Sequence, residues 1–219
     1  MNYDELQSQL GHKFKNKELL ELALTHKSFS SSYNNERLEF LGDSILNAII
    51  SQYLFNKFNN EKEGLLTRMR SYLVKAETLV IKAEEFALGD HIKLSKGTAN
   101  LSKDRKNSIL EDAFEAIIGA IFIDAGWEHV NEITLKIFNK NLLALSADMT
   151  FKDAKTELQE LLQSKKYELP KYLIEDTGDG CFSCNINYQE TLFESTGPSK
   201  RIAETNVAMK VLAHIKKTT

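Results

Sequence analysis

Apolar residues recur every three to four positions through the first two thirds of the chain, the spacing of buried helix faces. Leu6 and Leu10 follow it, as do Leu19, Leu20, Leu22, Ala23 and Leu24. A longer run opens at Asn35. Leu38, Leu41, Ile45 and Ala48 share one side of it, and Ile49, Ile50, Tyr53, Leu54 and Phe58 carry it toward Asn59-Asn60. Arg68 to Phe86 reads as one further periodic run, ending near Leu88-Gly89-Asp90. Gly97 to Asn107 is polar and reads as a loop. Ser108 to Phe122 is apolar on nearly every side, so it predicts a largely buried helix, closed by a glycine stop at Gly126. Asn131 to Leu145 predicts a last helix. No proline interrupts this half and β-branched alternation is scarce, so residues 1–147 are expected to be helical.

The pattern changes after a short linker expected at 148–151. Asp153 is an N-cap candidate for a helix through Gln163. Pro170 to Glu175 reads as a strand and Thr177-Gly178-Asp179-Gly180 as a turn. Cys184 to Tyr188 alternates like a half-buried strand, Gln189 to Ser195 reads as a third, and Pro198 to Lys216 as a helix. The expected fold is therefore multi-domain: an all-α domain, then a small α+β domain at 152–219 with the order α-β-β-β-α.

Charge along two of the helices is unusual. On a 100° wheel Glu36, Glu39 and Asp43 fall within roughly 60° of one another, opposite the apolar side. A solvated helix usually mixes signs on its polar face. In the buried helix, Asp112 and Glu115 stand at i and i+3 on one face, near Ala116, Gly119 and Ala120, which would admit a second helix closely. Two buried carboxylates are costly unless paired or metal-bound, and no Lys or Arg lies within that segment. The economical arrangement sets Asp112 and Glu115 opposite Glu39 and Asp43 across a divalent cation. An all-oxygen cage selects Mg²⁺ or Mn²⁺ over Zn²⁺, and such a site suits phosphoryl chemistry with a metal-activated water. A merely acidic surface stripe is the alternative.

The remaining composition narrows the class. At 219 residues and 24.9 kDa the chain could be one large domain or two modest ones. Formal net charge is −3, so contact with nucleic acid must rest on local patches. Met1 to Phe14 lacks an apolar h-region and no segment approaches a membrane span, which leads to an expected cytoplasmic location without a membrane partner. Cys181 and Cys184 form a lone C-x-x-C with no second pair for zinc, and they flank a strand; ordinary thiols are expected. Lys103, Arg105 and Lys106 form a basic stretch before the carboxylate helix, either a solvated loop or a phosphate contact.

Asn35-Glu36-Arg37-Leu38-Glu39-Phe40-Leu41-Gly42-Asp43-Ser44 resembles the signature of ribonuclease III. Ala23 to Phe29, Glu63 to Arg70 and Ser108 to Ala120 resemble three further blocks of that family in the same order. The resemblance implies an endonuclease domain that hydrolyses both strands of double-stranded RNA and leaves 5′-phosphate and 3′-hydroxyl ends. It implies Mg²⁺ as cofactor, with Mn²⁺ able to substitute, and no small-molecule cofactor. It assigns Glu39, Asp112 and Glu115 as metal ligands, Asp43 and Glu115 as catalytic residues, and Glu36 and Glu63 as supporting acids. Glu36 is expected to orient Arg37 or a partner subunit. His26 belongs to the resembling block, with a capping or core role. One carboxylate set cuts one strand, so a homodimer is expected. Phe40 lies beside the carboxylate face rather than the core face, and the family's signature helix lies at the dimer interface. Processing of ribosomal RNA precursors and of some messenger and small RNAs is the implied task.

The C-terminal α-β-β-β-α stretch resembles a double-stranded-RNA-binding domain. The resemblance puts Thr156 and Gln159 against the RNA minor groove, where polar groups can read a 2′-hydroxyl. Ser199, Lys200 and Arg201 open the last helix; positive charge there opposes the helix dipole, and a bound phosphate would explain it. Two departures stand out: Gly180-Cys181 replaces the family's loop histidine, and Ser195 replaces a glycine. Altered RNA contacts in that loop are expected. The rival reading is a non-catalytic double-stranded-RNA-binding protein on the same scaffold, whose mark would be loss of a carboxylate; a phosphohydrolase of small esters would not need the C-terminal module.

Overall fold

The computed structural model describes residues 3–100, 102–147, 154–178 and 180–218. The chain divides into two compact units, Met1–Met149 and Thr150–Thr219. The expected linker and the Asp153 cap lie outside the described residues.

The first unit holds α1 (Asp4–Leu10), α2 (Lys17–Ala23), α3 (Glu36–Lys57), α4 (Glu63–Leu73), α5 (Ala76–Glu85), α6 (Lys103–Ala125), α7 (Trp127–Ile137) and α8 (Asn139–Ala144). Its centre is the packing of α3 on α6. Leu38, Leu46, Ile49, Ile50 and Leu54 of α3 meet a core that α6 fills with Ala113, Phe114, Ala116, Ile117, Ile118, Ala120 and Ile121. Phe114 meets Phe138 edge-on, with ring centroids 6.2 Å apart. Ala48, which the helical wheel puts on the core face, is exposed.

Two glycines set how closely these helices cross. A Cβ on Gly42 would stand 1.8 Å from the Glu115 carbonyl oxygen, and one on Gly119 would stand 2.3 Å from the Leu38 carbonyl oxygen. No side chain fits either contact, so backbone meets backbone at the level of the acidic residues. At the far end of α6, Asp124 ties the helix to the start of the chain. It accepts from the backbone N–H groups of Lys15 (2.9 Å) and Asn16 (3.0 Å) and lies 3.0 Å from His12 Nε2.

Three boundaries differ from the sequence expectation. The single run from Arg68 to Phe86 is two helices, parted at Val74-Lys75 where Lys75 is extended (ψ 152°). The break carries neither Gly nor Pro; Lys75 instead starts α5, its carbonyl accepting from Thr78 and Leu79. The basic stretch from Lys103 is not loop but the first turns of α6, exposed and projecting past the core. The last helix begins at Trp127 and is interrupted at Phe138, whose buried ring serves the core.

The second unit holds α9 (Ala154–Ser164), β1 (Leu173–Asp176), β2 (Phe182–Tyr188), β3 (Thr191–Gly197) and α10 (Lys200–Thr218). The sheet is antiparallel in the order β1-β2-β3. Leu158 and Leu162 of α9, Cys184 and Ile186 of β2, and Ala203, Val207 and Val211 of α10 form its core. Gln189 and Glu190, expected as strand, are the hairpin turn, with φ of 47° and 65° between the paired Tyr188 and Thr191. Two positive φ values give the turn type that matches strand twist, here without glycine. Cys184 is a fully buried core thiol and Cys181 lies in the preceding loop; both are unbridged.

Candidate active site

The amphipathic pattern of α3 turns Glu36, Glu39 and Asp43 away from its buried leucines, and the Gly42–Gly119 crossing brings that face against α6. Asp112 and Glu115 meet it from the other helix. Their mutual influence is legible in their acidities. Burial pushes the Glu115 carboxyl up to about 8, with Asp43, Glu111, Glu39 and Asp112 each adding repulsion. Burial and then the charge of Asp112 raise Glu39. Burial also raises Asp112, against the opposing pull of Lys27 and His26. A carboxyl that holds its proton near neutral pH is one that lacks compensating positive charge.

Glu111 belongs to this set and escaped the sequence reading. Burial raises it, and Asp112, Glu77 and Asp43 repel it. The signal was its i, i+4 spacing from Glu115. Asn47 was also missed: its side-chain amide donates to Asp43 Oδ1 at 2.7 Å and holds that carboxylate one turn along α3.

Glu36, expected to orient Arg37 or a partner subunit, pairs within this chain with Lys27, Nζ donating to Oε1 at 2.9 Å. Lys27 reaches the carboxylates from the loop after α2, so the absence of a base between Ser108 and Phe122 did not exclude one from elsewhere in the fold. His26 takes a turn-forming role: its Nδ1 accepts from the Ser28 N–H at 3.1 Å. Glu63 opens α4 and accepts from the Thr67 hydroxyl at 2.7 Å; with Phe55, Leu66 and Arg70 it lines a separate groove. Phe40 points outward from α3 with 78% of its surface exposed.

Among the described residues, no three or more His, Cys, Asp or Glu side chains stand in ligating geometry. The donor chemistry nonetheless fits a hard divalent ion: oxygen donors only, raised proton affinities, and a net excess of negative charge facing the crossing.

In the second unit Thr156 and Gln159 are exposed on one face of α9. Ser199 caps α10, its Oγ accepting from the Ile202 N–H at 3.3 Å. Lys200 and Arg201 are exposed in the first turn, with Lys200 Nζ 5.7 Å from the Phe182 ring centroid. The β1–β2 loop closes on itself: the Thr177 N–H and hydroxyl both donate to the Cys181 carbonyl, at 3.1 Å and 2.9 Å. Gly178 and Gly180 take φ of 79° and 80°, and the loop sequence offers no base.

A helical unit with a carboxylate-lined crossing, joined to an α-β-β-β-α unit, defines a nuclease fold coupled to an RNA-binding one. Residues 16–142 match the family described as Ribonuclease-III-like, and residues 154–215 match the Double-stranded RNA binding motif. Ribonuclease 3 of Marinomonas sp. (strain MWYL1) is 45% identical over 221 residues, covering 98% of this chain and 97% of that protein. Ribonuclease 3 of Azotobacter vinelandii is 47% identical over 216 residues, covering 95% and 93%. The solved nuclease domain of ribonuclease III from Campylobacter jejuni, described for flexibility in a region involved in dimer formation, is 47% identical with a TM-score of 0.62; it covers 64% of this chain and 98% of that one. The chain belongs to the ribonuclease III family and is an endoribonuclease.

Proposed function

We propose that the protein is a divalent-metal-dependent endonuclease that cuts both strands of double-stranded RNA and leaves 5′-phosphate and 3′-hydroxyl ends. The observation that carries this reading is the carboxylate cluster at the α3–α6 crossing, with Glu115 pushed up to about 8. Glu39, Asp112 and Glu115 would hold the ion, Mg²⁺ or Mn²⁺. When bound, the ion supplies charge neutralisation for an anionic phosphodiester and acidifies a water. Asp43, set by Asn47, and Glu115 then orient and accept protons at the reacting oxygens. Glu36 and Glu63 are supporting acids. Attack by water rather than the 2′-oxygen accounts for the proposed ends.

The second unit supplies substrate affinity. Thr156 and Gln159 face the minor groove, and Ser199, Lys200 and Arg201 take phosphate at the start of α10, where backbone N–H groups also point outward. The closed, base-free β1–β2 loop adds little. A homodimer aligns two cuts with the pseudo-symmetry of a duplex, and Phe40 is the outward ring that a partner would cover. The domains are taken as 1–147 and 152–219. Ribosomal RNA precursors and some messenger and small RNAs, met in the cytoplasm, are the proposed substrates.

Product analysis tests this. Fragments of a long RNA duplex that accept ligation at both ends without prior phosphorylation support the reading. Fragments with 2′,3′-cyclic ends, or cutting of single strands in preference to duplex, would overturn it.

A further inference from the structure

Lys27 stands just outside the carboxylate crossing, on the loop after α2. Its Nζ pairs with Glu36, and both side chains remain more than half exposed, at 57% and 51%. A pair so exposed is readily exchanged for another anion. The loop beneath it is fastened. Lys93 donates its N–H to the Leu24 carbonyl at 2.7 Å, and His26 donates to the Lys93 carbonyl at 3.2 Å. Ser28 Oγ accepts from the Ser95 N–H at 3.2 Å. The backbone of Lys27 is thus placed while its ammonium group stays reachable from solvent.

That ammonium acts on the site's acids: on Glu36 first, then on Asp112 and Glu39. Its charge opposes the raised proton affinity of both Glu39 and Asp112, joined at Asp112 by His26. A cation here does not help a divalent ion bind. It does suit an RNA strand, which carries a negative phosphate at every nucleotide and not at the cut alone. We propose that Lys27 is a substrate-binding residue, which leaves Glu36 and takes a backbone phosphate beside the scissile one. The proposal rests on the function proposed above.

The test is duplex binding by the full-length protein in Ca²⁺ as a non-cleaving ion, measured across salt concentrations, for wild type, Lys27→Met, Lys27→Arg and Glu36→Gln. Loss of one phosphate contact lowers the salt slope by about one per site and weakens binding ~3–10-fold. The expected result is that loss in Lys27→Met, recovery in Lys27→Arg, and an undiminished slope in Glu36→Gln. An unchanged slope in Lys27→Met overturns the proposal. So does an equal loss in Glu36→Gln, because the pair would then be merely structural. Cleavage by wild type in Mg²⁺ is run beside it. A wild type that binds without cutting sinks the nuclease reading, while the slopes still decide whether Lys27 meets phosphate.

Discussion

Glu115→Gln should make the metal-free protein more stable at neutral pH while removing its activity. The unfolded chain ionises Glu115 near 4.5, whereas the folded chain holds the proton to about 8. Below pH 4.5 both states are protonated and the contribution to stability is fully present. It is lost as pH rises through that window, at up to about 1.4 kcal/mol per unit. Solvent reaches the half-buried carboxyl, so the penalty by pH 7 is discounted to about 1–2 kcal/mol. Glutamine keeps the shape and removes the titration. Trp127, the single tryptophan, lies in the nuclease unit, so its fluorescence follows that unit alone. Urea melts in EDTA should show Glu115→Gln equal to wild type at pH 4.5 and more stable at pH 7.5, with added Mg²⁺ narrowing the gap. A variant that is less stable at pH 7.5, or offset equally at both pH values, would refute the electrostatic reasoning.

Three other outcomes follow from the same geometry. Gly42→Ala puts a methyl 1.8 Å from the Glu115 carbonyl oxygen, so the helices must part; a cost of about 1–3 kcal/mol in urea melts and loss of cleavage are expected. Phe40→Ala should leave the melting of the nuclease unit nearly unchanged, since the ring is exposed, yet weaken self-association in sedimentation at low concentration. Replacing Lys200 and Arg201 by Ala should weaken duplex binding for all sequences alike and lower the salt slope by about two, read in titrations with Ca²⁺.

Much of the site was legible because it is written in helical period. The acidic face of α3, the i, i+3 acids of α6 and the small residues beside them are local patterns, and the fold sets them against each other. Glu111 obeyed the same period but was hidden by its neighbour Asp112. Lys27 was not legible from spacing, because its pairing joins a loop to a helix start nine residues away. The break at Val74-Lys75 carries no turn residue, so tertiary packing decides it. The start of α6 reads as loop because its first turns bury nothing; backbone hydrogen bonding continues where side-chain patterning stops. In the second unit the strands were found, but the hairpin turn was not, because Gln189-Glu190 occupies a conformation that usually calls for Gly or Asn.

The most direct test of the account is cleavage of a labelled long RNA duplex with Mg²⁺, with Ca²⁺ and with EDTA, for wild type beside Glu115→Gln. The account predicts cutting by wild type with Mg²⁺ alone, and no cutting by Glu115→Gln while duplex binding persists. Undiminished cleavage in EDTA, or by Glu115→Gln, would contradict it.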